Sequence, residues 1–289
     1  MTVDAERIPS RKREFYLQTP ARSPFEFNLG EALRYWQLIP LFVRRDFVSE
    51  FSQTLLGPLW FVIHPVMQSI VFALLFGTLA KMSTDDATPF LFYNSALVLW
   101  TYFAQSSTYV SQVFLSNGGL FGKVQFPRVI VPISISFFRM VTLFANYAVF
   151  LLFLAFFYLR GANVEPNLWV LATPLLFIHV ALLSFGVGTL VSAFTSRSRD
   201  MVQAFSYLLS LGMYATPIIY PLSAIPEKLY YLFYLNPMAA PVELFRYAYL
   251  GSGSLDPTMY LFSVVETMVI VLFGLMAFSY TEKTVVDTL

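Results

Sequence analysis

Six long apolar stretches separated by short polar segments set the plan of the chain: Leu59–Ala80, Phe90–Phe114, Val129–Tyr158, Leu168–Phe194, Met201–Tyr220 and Met259–Tyr280. A helix needs roughly 20 apolar residues to cross the hydrocarbon of a bilayer, so each stretch predicts a transmembrane helix. The third and fourth exceed that length and predict tilt or extension past the lipid. The second carries Asn94, Gln105, Ser106, Ser107 and Gln112, so part of it faces protein or water rather than lipid. The expected fold class is all-α, a polytopic membrane protein with six transmembrane helices.

Two flanking regions have patterns of their own. Across 29–53, Leu29, Leu33, Trp36, Pro40, Val43 and Phe47 recur at spacings of 4, 3, 4, 3 and 4, which places them on one helical face. Arg34, Arg44, Arg45 and Asp46 fall mostly on the other. This predicts an amphipathic helix on the membrane surface, kinked or restarted at Pro40. It either rests on lipid alone or also docks a partner. Pro221–Pro257 mixes seven Tyr and Phe rings with five prolines. Tyr favours the headgroup layer, so two short re-entrant or interfacial helices are expected, near 225–235 and 239–250, broken at Asn236-Pro237. Residues 1–30 are polar and lack the apolar core of a signal peptide.

Composition strengthens the membrane assignment. Hydrophobic residues make up 57% of the 289 and charged residues 12%, half the roughly 25% of a soluble domain. A net charge of +1 offers no basic field for nucleic acid. The absence of cysteine excludes disulfides and thiolate metal sites. His64 and His179 lie far apart in apolar stretches, which argues against a metal centre. With the N-terminus inside, 13 of the 18 Lys and Arg residues fall on the cytoplasmic side, the orientation the positive-inside rule favours. Both termini are then cytoplasmic.

Chemistry within the chain is sparse. Gly118-Gly119-Leu120-Phe121-Gly122-Lys123-Val124 has a Gly-Lys pair but neither the spacing nor the hydroxyl of a phosphate-binding loop. No nucleophile-elbow or zinc-protease motif occurs. The one acidic pair, Asp85-Asp86, sits on a short external loop. Two ionisable residues fall inside apolar stretches, Arg139 and Glu266. Each costs about 2.5–3.5 kcal/mol at the bilayer centre. Their depths are similar and their alternatives stay open: they pair, snorkel to an interface, or face a transport path.

Short ordered motifs carry a resemblance. Gln53-Thr54-Leu55-Leu56-Gly57-Pro58-Leu59-Trp60 with Pro65 resembles the approach to the first span of ABC-2 type exporter permeases. Ser116-Asn117-Gly118-Gly119-Leu120, then Lys123-Val124-Gln125-Phe126-Pro127-Arg128 with Pro132, is similar to their first cytoplasmic loop. Arg199-Asp200, Pro217-Ile218-Ile219-Tyr220-Pro221, Asn236-Pro237-Met238 and Arg246 match their second half in order. The branch it is most similar to is the membrane subunit of surface-polysaccharide exporters for O-antigen, capsule or teichoic acid. Val48-Ser49-Glu50-Phe51-Ser52 stands where that family often has several basic residues.

The resemblance implies a polar extension over 1–30 and an ABC-2 type transmembrane domain over 31–289. It implies a homodimer in the bacterial inner membrane, joined by two copies of a separate ATPase that binds ATP and Mg, with no cofactor in this chain. Lipid-linked polysaccharide would pass between protomers along the first and fifth spans. Candidate path residues are Trp60, Phe61, His64, Gln68 and Phe72, with Tyr207, Ser210, Tyr214 and Pro217. Candidate ATPase-coupling residues are Asn117, Leu120, Lys123, Phe126, Pro127 and Arg128. The interfacial helix contributes Trp36, Arg44, Arg45, Asp46 and Phe47. Competing readings are a permease for a drug or small lipid, and a membrane-embedded glycosyl- or acyltransferase.

Overall fold

A computed structural model describes residues 30, 34–52, 54–121, 124, 126–196 and 198–286. These form helices and turns with no strand among the described residues. Among the described residues ten α-helices follow in order: α1 Leu38–Phe51, α2 Trp60–Phe72, α3 Pro89–Ser111, α4 Val113–Phe121, α5 Ile130–Leu159, α6 Thr173–Thr195, α7 Asp200–Ala215, α8 Glu227–Tyr230, α9 Ala239–Leu250 and α10 Pro257–Val286. Among the described residues four helical segments are long and apolar enough to cross a membrane: Gly57–Leu79, Ile130–Leu159, Leu168–Thr195 and Pro257–Thr284. The first is α2 extended by a 3-10 turn before it and a π-helical stretch, Ala73–Leu79, after it.

The other two expected spans differ for separate reasons. α3 has 23 residues, of which 17 are buried inside the chain. Its polar residues lower its hydropathy, and they bond to neighbouring helices as the sequence pattern requires. Asn94 Nδ2 donates to Ser69 Oγ at 2.8 Å, Ser184 Oγ to Ser106 Oγ at 3.2 Å, and Ser107 Oγ to the Ser184 carbonyl at 3.3 Å. α3 is therefore the axis of the bundle, with α2, α5, α6, α7 and α9 around it. α7 is shorter than the expected Met201–Tyr220. Its 16 residues rise about 24 Å, less than the roughly 30 Å of hydrocarbon. Pro217 accounts for the early stop: a residue before proline is pushed out of the helical region, and Thr216 is extended at φ −96° and ψ 144°.

α6 and α10 pack backbone to backbone. A Cβ at Gly274 would lie 2.4 Å from the Gly186 carbonyl oxygen, so glycine is what allows this approach. Higher on the same seam, His179 Nε2 meets Thr267 Oγ1 at 2.9 Å, which leaves His179 a core histidine.

The region before α10 contains two short helical stretches separated at Asn236-Pro237. α8 runs into a 3-10 helix over Tyr231–Leu235, and α9 begins after Asn236-Pro237. Asn236 Oδ1 accepts from the Met238 N–H, while its Nδ2 donates to Thr216 Oγ1 at 3.0 Å and the Ala215 carbonyl. The chain break after α7 and the break before α9 are thereby tied together. α9 ends at Gly251 in the left-handed region, φ 70°, a conformation glycine adopts without strain.

Candidate functional site

The end of the bundle that carries α1, α4 and the start of α5 gathers two groups that the sequence keeps about 70 residues apart. α1 has no buried residue; it lies along α5 and is held by discrete contacts. Arg45 Nη2 donates to Asn117 Oδ1 at 3.3 Å, and Asn117 Nδ2 donates back to the Val113 carbonyl within α4. Phe42 packs on Phe126, ring centroids 5.7 Å apart, and Phe126 on Phe121 at 6.2 Å. Arg45 also lies over the Phe42 ring and pairs with Asp46, an exposed ion pair worth little by itself. Phe47 meets Phe138 edge-on, and Phe51 meets Phe61. The expected interfacial helix and the expected coupling loop thus form one junction.

Arg128 closes the far side of that junction. Its Nη1 donates to the Glu282 carbonyl at 3.0 Å on α10, and its guanidinium lies over Phe121. Burial pushes the Arg128 pKa down, while the Glu282 carboxylate pulls it up. Leu120 and Pro127 are half-buried in the same turn, and Trp36 and Arg44 point outward. Lys123 lies outside the described residues.

Arg139 and Glu266 do not pair with each other. Arg139 is 3% exposed, and its two terminal nitrogens grip Glu50 of α1 at 3.0 and 2.6 Å. Glu50 is the residue the sequence marks only as a departure from a basic pattern. A charge inside a bundle needs a partner, but nothing local points to one 89 positions away. Glu266 is half-buried on α10, with one carboxylate oxygen lacking a hydrogen-bond partner among the described residues.

The expected path stripe divides. Phe61 and Phe72 are buried within the chain, on Phe51 and Tyr93 respectively. This corrects their place in the path. Each successive residue turns about 100° around a helix, so Trp60 and Phe61 cannot share a face. Trp60 and His64 do face outward. Gln68 reaches across to α7, its Nε2 3.7 Å from Met213 Sδ. On α7, Tyr207 is 66% and Tyr214 55% exposed, beside Ser210, Leu208 and Leu211. Pro217 is buried. A cleft of about 690 Å³ opens behind α7, lined by Trp100, Phe103, Gly212, Tyr220 and Pro237 among others.

Sequence reasoning placed Arg246 in a motif but gave it no partner. It is 0% exposed on α9 and donates to the carbonyls of Pro217 and Ile218 and to Glu243, with Phe92 of α3 3.6 Å from its guanidinium carbon. The available signal was Glu243 three residues earlier, on the same helical face. Asp85, of the acidic pair, accepts from Ser223 Oγ at 2.6 Å.

Comparison with known proteins follows the same outline. The profile of the ABC-2 type transporter family matches residues 37–250. The chain is 28% identical to an O-antigen export system permease protein RfbA of Klebsiella pneumoniae over 76% of its length and 82% of that protein. It is 26% identical to an O-antigen export system permease protein RfbA of Myxococcus xanthus, over 68% and 74%. With the polysialic acid transport protein KpsM of Escherichia coli it shares 22% identity over 83% and 91%.

Proposed function

The chain belongs to the ABC-2 type transporter family, and we propose that it is the membrane-spanning permease of an ATP-driven exporter that moves lipid-linked polysaccharide across the bacterial inner membrane. One observation carries this reading. The family match runs from α1 through α9, and relatives of similar length are named as surface-polysaccharide permeases. The working unit is a homodimer with two ATPase subunits, which bind ATP and Mg. The chain itself is a transport subunit and performs no catalysis. A drug or small lipid is the competing cargo, favoured only by the apolar lining of the cleft behind α7. Purification of a tagged chain from its own membranes tests the assignment. An ABC ATPase should copurify in equal copy, and ATP hydrolysis should follow it; a chain that purifies alone contradicts the reading.

The topology has six crossings, the four long apolar helices together with α3 and α7, and cytoplasmic termini. α3 crosses inside a sheath of protein, and α7 is completed by the turn over 216–220 and the re-entrant α8 and α9. Basic residues concentrate on the side of α1, which makes the α1–α4 junction the ATPase dock. The absence of native cysteine makes this easy to check. Cysteine placed at Asp86, Asn163 or Lys228 should react with an impermeant thiol reagent from outside; reaction of Asn163→Cys only from the cytoplasm would overturn the third and fourth crossings.

The path runs between protomers along the outward faces of α2 and α7, with Trp60, His64, Tyr207, Ser210 and Tyr214, and with Gln68 between the two helices. Sugar C–H faces stack on aromatic rings, and polar groups orient them. Tyr207 and Tyr214 project more than half exposed, so truncating them removes little packing. Tyr207→Ala with Tyr214→Ala should lower surface polysaccharide while the dimer and its ATPase stay assembled. Export at wild-type level in that double variant would remove α7 from the path.

A further inference from the structure

α1 is joined to the rest of the chain by polar contacts at two points. Arg45 ties it to Asn117 in the docking loop, and Glu50 ties it to Arg139 inside the bundle. We propose that Glu50 and Arg139 are positioning residues that carry movement of the docking loop into the spans, and so couple ATP hydrolysis to export. The proposal rests on the reading that a separate ATPase docks at the α1–α4 junction.

Four observations support it. First, α1 has no buried residue; it lies at the edge of the bundle, held by the rings of Phe42, Phe47 and Phe51 and by these two polar contacts. Second, Glu50 stands five positions after Arg45, roughly 7.5 Å along a helix. A helical segment that short transmits displacement with little bending. Third, the joint reaches three helices. Arg139 stands nine residues into α5, roughly 14 Å along its axis, and its guanidinium carbon is 3.6 Å from the centre of the Tyr109 ring on α3. A push on α1 therefore arrives at the central helix and at α5 together. Fourth, the geometry is directional. Both carboxylate oxygens of Glu50 engage both terminal nitrogens of Arg139, which fixes orientation as well as distance. Anchoring alone does not call for this arrangement, because a packed apolar pair would hold a helix to a bundle at least as well as a largely buried ion pair.

The experiment uses the full chain, expressed with its ATPase in cells lacking the native copy. Membrane level of the chain, copurified ATPase, ATP hydrolysis and surface polysaccharide are all read. Two variants are compared, Glu50→Gln and Glu50→Gln with Arg139→Gln. The single change leaves Arg139 charged and unpaired, which can lower the amount of folded chain. The double change removes both charges and relieves that penalty, so the chain should accumulate with its ATPase bound. If the pair transmits movement, the double variant still hydrolyses ATP but exports about tenfold less, the loss expected when roughly 1.4 kcal/mol of coupling disappears. Export at wild-type level in the double variant overturns the proposal. So does failure of the double variant to accumulate, which would assign the pair to assembly. A wild-type chain that binds no ATPase would instead defeat the underlying reading.

Discussion

Arg246→Ala is expected to dismantle the end of the bundle opposite α1. The guanidinium is fully buried and does four things at once. It satisfies the carbonyls of Pro217 and Ile218, which Pro217 has taken out of helical bonding, neutralises Glu243, and covers the face of Phe92. An arginine keeps its charge in a protein, and Glu243 supplies its counter-ion. Glu243 meanwhile accepts from the Ser254 N–H, which extends the network to the turn before α10. Removing the cation strands a buried carboxylate and two carbonyls, a loss of about 3–5 kcal/mol. Little folded protein should survive detergent extraction. Arg246→Lys keeps the charge but cannot span both carbonyls, and should fall between. The check is the monodisperse fraction and melting temperature after extraction. Wild-type stability in the alanine variant would refute the clamp.

Phe126→Asp should uncouple the transporter. Phe126 is half-buried between Phe42 of α1 and Phe121 of α4, so it is the only described ring that contacts both sides of the junction. A carboxylate there leaves for water, and α1 loses its apolar hold on the loop. Two aromatic pairs contribute about 1–3 kcal/mol, so the docked arrangement should lose on the order of tenfold in population or more. ATP binding by the partner subunit should persist, and surface polysaccharide should fall by a similar factor. Phe126→Leu, which keeps apolar volume, should retain most export. Full export by the aspartate variant would show that the junction does not carry the stroke.

Much of this architecture was legible because its causes are local. Apolar runs of membrane length, the polar residues of α3, and the Asn236-Pro237 break each act within one or two turns, and each produced its element. Pro217 was equally local, yet the apolar run through it masked its effect and made α7 look a turn longer. The residues that were misplaced depend on contacts far along the chain. Phe61 and Phe72 look like path residues until α1 and α3 cover them. Arg246 looks like an external basic residue until α9 folds back onto the end of α7. Glu50 looks like an exception to a basic pattern until α5 brings Arg139 to it. Hydropathy records how apolar a position is and not which neighbour will arrive there.

Outward carriage of polysaccharide by this chain can be read from the sidedness of lipid-linked polysaccharide in cells depleted of the chain, with synthesis left intact. The polymer should accumulate on its lipid at the cytoplasmic face and disappear from the surface, and the wild-type chain should restore it. Undiminished surface polysaccharide in depleted cells, with none retained inside, would contradict outward carriage.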